Sequence, residues 1–151
     1  MTELERLLQR RLDERRRNLV GHAGVRERWV LECRSIARRI ADWLRPLETK
    51  GYVDVSFVAT PIHEELLGDY EAEGVRLVFV DERVLSLVPV ARHVLGADGR
   101  IDVMSVNACL AMLIRRDGEW CFARREERTG PPLTWKLNRD SFHDFLVGFI
   151  R

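Results

Sequence analysis

Between Lys50 and Tyr52 the spacing of apolar residues changes from a helical to a strand period, and no single kind of element satisfies both. Read backwards from Leu47, the positions Leu47, Trp43, Ile40, Ile36, Cys33 and Trp29 are separated by alternating steps of four and three, the a/d seam of a heptad pattern. Continued in phase, the seam passes through Arg26, His22, Leu19, Arg15, Leu12 and Leu8, so its apolar character thins while its register survives. The spacing predicts helix from about Leu4 to Leu47. "GHAG" at residues 21–24 is the one plausible break, because each glycine costs about 1 kcal/mol in a helix interior. A turn has no reason to keep heptad phase and a single helix must, so a continuous or kinked helix is expected ahead of a helical hairpin.

From Tyr52 the pattern alternates. "YVDVSFVA", "VRLVFV", "RVLSLVPVA", "RIDVMSV", "CLAMLIRR" and "EWCFARR" are short and rich in β-branched and aromatic residues, as strands are. Turn residues separate them: "VDER" at 80–83, "GADGR" at 96–100 and "RDGE" at 116–119, where Asp-Gly suits the positive φ angles of a tight hairpin. Connections this short pair sequence neighbours antiparallel, which gives a meander of about six strands. Pro89 marks an edge or a bulge, since proline cannot donate to a ladder. After a loop at "EERTGPP", residues 126–132, the chain closes with an amphipathic helix. Asn138 is its N-cap, Leu137 and Phe142 hold hydrophobic-staple positions, and Phe142, Phe145, Leu146, Phe149 and Ile150 form one apolar face. That face must dock on the sheet. The expected fold is α+β: a helical arm over residues 1–50, joined at "ETKGY" (48–52) to a β body with a C-terminal helix over residues 51–151.

A chain of 151 residues can bury a core without disulfides or metals. No apolar run approaches the roughly 18 residues of a membrane span, and "MTELERLLQRRLDERRR" lacks a signal peptide's apolar core, so no membrane association and a cytoplasmic location are expected. Cys33, Cys109 and Cys121 are odd in number and widely spaced among apolar neighbours, the pattern of reduced, mostly buried thiols. A net charge of +1 conceals 13 Lys+Arg against 8 Asp+Glu in residues 1–50, and 12 against 16 in the remainder.

Evidence for chemistry is thin. "TPIHEELLGDY", residues 60–70, starts like the zinc-protease helix His-Glu-x-x-His, but Leu67 stands where the second histidine must be. His63, Glu64, Glu65 and Asp69 therefore read as a solvated loop or edge. Ser35, Ser56, Ser86 and Ser105 lack a nucleophile elbow, and a Cys/His pair drawn from Cys109 or Cys121 with His63 or His93 has no sequence support. No glycine pattern cradles a phosphate. No cofactor, metal or catalytic residue is assigned.

The strongest pattern is the seam, and the expected function is a non-enzymatic interaction or assembly module. It would self-associate or bind a protein partner through Leu8, Leu12, Leu19, Trp29, Ile36, Ile40 and Trp43. A helix of about 44 residues would reach roughly 66 Å, beyond what a body of this size covers. The alternative is a nucleic-acid-associated factor using Arg10, Arg11, Arg15, Arg16 and Arg17. Against it, Asp13 and Glu14 interrupt the run at ion-pair spacing with Arg10, Arg16 and Arg17, and no aromatic residue accompanies the arginines to stack on bases. A second alternative is a small enzyme with a His/carboxylate or Cys/His site.

Overall fold

The structure, a computed structural model, describes residues 1–21, 23–92, 98–125 and 130–151, and their side chains except those of 18–21 and 23. Among the described residues two helical segments, α1 (Glu3–Gly21) and α2 (Ala23–Thr49), precede seven strands. These are β1 (Val53–Glu64), β2 (Gly68–Phe79), β3 (Val84–Ala91), β4 (Arg100–Met104), β5 (Cys109–Arg116), β6 (Glu119–Arg124) and β7 (Leu133–Lys136); helix α3 (Arg139–Ile150) closes the chain. All strands pair antiparallel in sequence order, so the α+β meander is the observed fold, with seven strands where six are expected. The added strand is β7, a four-residue segment whose partner is β6.

One face of the sheet carries the core. Val75, Leu87, Val103 and Ala111 align across four strands, and Ile101, Leu113, Phe122 and Trp135 across the next. Against this face α2 buries Trp29, Cys33, Ile36, Ala37, Ile40 and Leu44, and α3 buries Phe142 and Leu146. Each of the larger side chains among them, Ile36, Ile40, Leu44, Phe142 and Leu146, contributes about 1.5–3 kcal/mol on removal from water. The two helices meet where the Trp43 ring lies 5.9 Å from that of Phe142. The opposite face is mixed, with Arg76, Ser86, Asp102 and Lys136 among its residues, as suits an antiparallel sheet open to water on one side.

Local chemistry explains the boundaries. Thr2 and Glu5 form a reciprocal capping box: Thr2 Oγ1 accepts from Glu5 N at 3.1 Å, and Thr2 N donates to Glu5 Oε2 at 2.7 Å. Asn138 and Ser141 cap α3 in the same way. Helix α2 ends in a Schellman motif, with Tyr52 N donating to Leu47 O at 3.0 Å and Gly51 N to Glu48 O at 2.9 Å around Gly51 at φ 78°. Asp117 and Gly118 take φ 52° and 80° in the two-residue turn between β5 and β6. The pairing of β3 with β4 slips between Pro89 and Ala91, a bulge at the proline. The expected turn at "GADGR" and loop at "EERTGPP" lie in part outside the described residues.

The β1–β2 hairpin is longer than the alternation suggests. Residues 60–64 extend β1 and residues 68–70 open β2, so "TPIHEELLGDY" is a hairpin tip with Gly68 at φ 78°. Buried positions are Val53 at one end of β1 but Ile62 and Glu64 at the other, and in β2 burial passes from Ala72 and Gly74 to Val75 and Leu77. Odd and even positions exchange roles while the register stays unbroken. The hairpin is thus coiled strongly enough to turn opposite faces to the core at its two ends. Gly74 permits the close approach this needs, since a Cβ there would lie 2.5 Å from Leu87 O.

Strand β1 is a sheet edge. Val55 N donates away from β2, to Glu48 Oε2 at 2.8 Å. With the register unbroken, Phe57, Ala59 and Pro61 occupy the same outward-bonding positions.

Candidate interaction surface

The heptad seam divides at the junction of the two helices. Trp29, Ile36 and Ile40 are buried against the sheet, and Trp43 is half-buried between Phe142 and the guanidinium of Arg39, 5.6 Å above its ring. The sheet therefore covers this half of the stripe. Leu8 and Leu12 on α1 remain in solvent, and the Leu19 side chain and His22 lie outside the described residues. Helical residues are described up to Gly21 and from Ala23, and the expected break at "GHAG" falls on His22, which lies outside the described residues.

On α1, Leu4, Leu7, Leu8 and Leu12 are 42–64% exposed. They recur at steps of three and four and share one side of the helix. An amphipathic helix with a bare apolar stripe has its helical propensity and cap but lacks the packing from which most helical stability comes. The sequence pattern located Leu8 and Leu12; Leu4, Leu7 and the Thr2/Glu5 box escaped it, although Thr-x-x-Glu before an apolar run is a legible signal.

A second apolar surface lies at the other end of α2. Leu47, Phe79 and Leu146 floor a groove of about 420 Å³, and Tyr52, Val80, Val147 and Ile150 stand around it with 37–74% of their surface exposed. The Schellman contact between Leu47 and Tyr52 forms one wall. Arg83 fixes another by donating from Nη1 to Phe149 O at 2.7 Å, which ties the β2–β3 turn to the last turn of α3. Asp81, His143 and Arg151 supply the polar rim. A larger groove of about 620 Å³ separates α3 from Leu110 and Trp135, and its walls mix those residues with Arg124 and Asp144.

The candidate chemical groups do not converge. His63 Nδ1 pairs with Asp69 Oδ1 across the hairpin tip, with both side chains largely exposed. Glu64 is buried and accepts from Tyr70 Oη and from Arg92 N, the latter at 3.0 Å. It fastens the hairpin tip to the end of β3. Burial first, and then the hydrogen bond to Glu64, push the Tyr70 hydroxyl well above its ordinary pKa. Among the described residues no group of three or more His, Cys, Asp and Glu side chains is placed to hold a metal. The cysteines are free. Burial raises the pKa of the Cys33 thiol with a smaller contribution from Glu32, and burial followed by Asp102 raises that of Cys109, the opposite of what activates a nucleophile. His93 lies outside the described residues. Ser35 and Ser56 are exposed, and the Ser105 hydroxyl donates to Ala108 O at 3.3 Å within a turn.

Arg10, Arg11, Arg15, Arg16 and Arg17 are all exposed on α1. Arg11 pairs with Glu14 at 3.5 Å, whereas Asp13 accepts from Gln9 at 3.1 Å rather than from an arginine. Among the described residues no helix is long and apolar enough to cross a membrane. No protein-family model, curated protein or solved structure matches this chain.

Proposed function

We propose that this protein is a non-enzymatic interaction or assembly module that binds a protein partner through α1. The observation that carries the reading is the bare leucine stripe of a capped helix, in contrast to α2, which buries Trp29, Cys33, Ile36, Ile40 and Leu44 in the core. Four leucines at helical spacing lose little by docking and gain about 25 cal/mol for each Å² of apolar surface removed from water. An amphipathic helix laid in an apolar groove is a common mode of recognition. Free cysteines in place of disulfides favour a reducing compartment, the cytoplasm, as the site of action.

The test pairs wild type with the Leu8→Asp, Leu12→Asp double variant. Sedimentation velocity and capture from a lysate of the source organism should show assembly or partner binding that the variant loses. The thermal transition should be unchanged, because neither leucine belongs to the core. A variant that matches wild type in both assays removes α1 as the binding element.

The arginines support a second reading, contact with nucleic acid. Arg10, Arg15, Arg16 and Arg17 have no ion pair among the described residues, so their charges are available to phosphates. Binding to a generic duplex that falls steeply with salt would support it, and salt-independent or absent binding would dismiss it.

A further inference from the structure

We infer that the groove between α3 and strands β5–β7 is a binding site for a small organic cation, an ammonium group carried on an apolar body. The inference goes beyond the binding of a partner by α1 and does not depend on it. The groove holds about 620 Å³, within the roughly 300–1,000 Å³ of small-molecule sites. At the volume one water takes in the liquid, about 30 Å³, it has room for roughly twenty non-hydrogen atoms. Its aromatic walls are preformed, because the Trp135 and Phe145 rings each stack at 5.1 Å on Phe122, which is wholly buried. Gly148 is the feature that asks for a ligand. It lies within α3 at a φ outside the left-handed range, so it does not act as a cap, and a Cβ on it would meet no atom within 4 Å. Glycine is the poorest helix former after proline, and no packing among the described residues requires it here. Its bare backbone lines the groove, where it lets a ligand approach closely.

Charge names the class of ligand. Asp144 is exposed on the groove wall and has no ion pair or hydrogen bond among the described residues. The other polar side chains of the wall are engaged: the Ser141 hydroxyl is taken up by the Asn138 cap, and the Arg124 guanidinium lies 5.7 Å over the Trp135 ring. That stacking shows that the aromatic wall accepts a cation. An ammonium seated beside Asp144 meets a carboxylate together with the negative ring faces of Phe145 and Trp135, while its apolar body covers Leu110 and the Gly148 backbone. An anion would meet the unpaired Asp144 charge instead.

The experiment titrates the full chain at low salt with three probes that share one apolar body and differ in charge: hexylammonium, hexanol and hexanoate. Nitrogen–proton NMR spectra follow the Gly148 amide and the Trp135 indole. The expected result is a saturable shift of both signals with hexylammonium, at least about tenfold tighter than with hexanoate. Asp144→Asn should remove that preference. Gly148→Leu should abolish binding while leaving the melting temperature unchanged or higher, since leucine favours helix and meets open space there. Hexanoate bound as tightly as hexylammonium, shifts that persist in Gly148→Leu, or no saturable shift with hexylammonium up to about 10 mM would overturn the inference. A lysine-containing helical peptide that shifts the same signals where hexylammonium fails would give the groove to a protein partner and overturn it too. The Leu8→Asp, Leu12→Asp variant should bind hexylammonium as wild type does, so the fate of this site and that of α1 are read separately.

Discussion

Gly99 sits against the Trp29 ring, and replacing it with alanine sets two opposed effects against each other. A Cβ at this position would lie 2.3, 2.6 and 2.9 Å from Trp29 Cζ3, Cη2 and Cε3, where ordinary contact begins beyond 3.4 Å. The tryptophan cannot retreat: it is wholly buried, and the Trp120 ring lies 5.9 Å from it on a strand of the sheet. Gly99 is held as well, since its carbonyl accepts from Arg115 N at 3.0 Å. Its φ is not left-handed, so alanine is conformationally allowed and would by itself stabilise by about 0.4–1 kcal/mol through the unfolded chain. Overpacking a rigid core costs about 1–3 kcal/mol, and three ring carbons inside contact distance place this site near the upper end. The net expectation for Gly99→Ala is a loss of about 2 kcal/mol, or a melting temperature lower by about 4–8 °C for a chain of this size. The same substitution in a Trp29→Phe background should cost at least about 1 kcal/mol less, because the smaller ring leaves room. Urea unfolding of the four proteins gives the cycle. A Gly99→Ala protein as stable as wild type, or an equal cost in both backgrounds, would refute the contact between Gly99 and Trp29.

Gly51→Ala, which forces a side chain into the left-handed φ of the Schellman cap, should destabilise by about 1–2 kcal/mol in chemical denaturation, with the denaturant slope unchanged. Alkaline pH should also weaken the fold. The Cys33 thiol and Tyr70 hydroxyl have raised pKa values in the folded protein, so above about pH 9 the unfolded chain ionises first and stability declines as pH rises; Cys33→Ala should flatten that decline, read from unfolding midpoints at pH 8 and 10. His63→Ala removes an exposed pair and should shift stability by no more than about 0.5 kcal/mol. Elemental analysis should give the same metal content for it and wild type; bound zinc or manganese lost on the substitution would return this segment to candidacy as a site.

Periodicity made the elements legible but not what covers them. The steps of three and four from Trp29 to Leu47 mark an apolar helix face, and that face is identical whether a second helix or a sheet lies against it; here the sheet does. Asp117-Gly118, Pro89 and Asn138 were readable because each solves a local backbone problem that few residues solve. Strand β7 was hidden because four residues, Leu-Thr-Trp-Lys, are too few to display a period and stand directly before the Asn138 cap. The outer part of the β1–β2 hairpin was hidden by its coil. Alternation loses phase where the two strands exchange faces, and a strand read by parity looks like a loop there. For the candidate surface, Leu8 and Leu12 could be read from the seam, whereas the groove draws on α2, the β2–β3 turn and α3, which only tertiary structure brings together.

An open sheet is also a template for its own extension, and β1 offers twelve residues of edge on which another chain could add a strand. That route is obstructed at its outward positions: Glu48 already occupies the Val55 N–H, and Pro61 has no N–H to offer. Between them only Phe57 and Ala59 present donors, too short a run to propagate a ladder. The four-residue β7 ends the other side as briefly. A molecule blunted at both edges is protected from fibrillar growth through its backbone. It leaves side-chain surfaces, and the leucines of α1 above all, as the places where association can be selective.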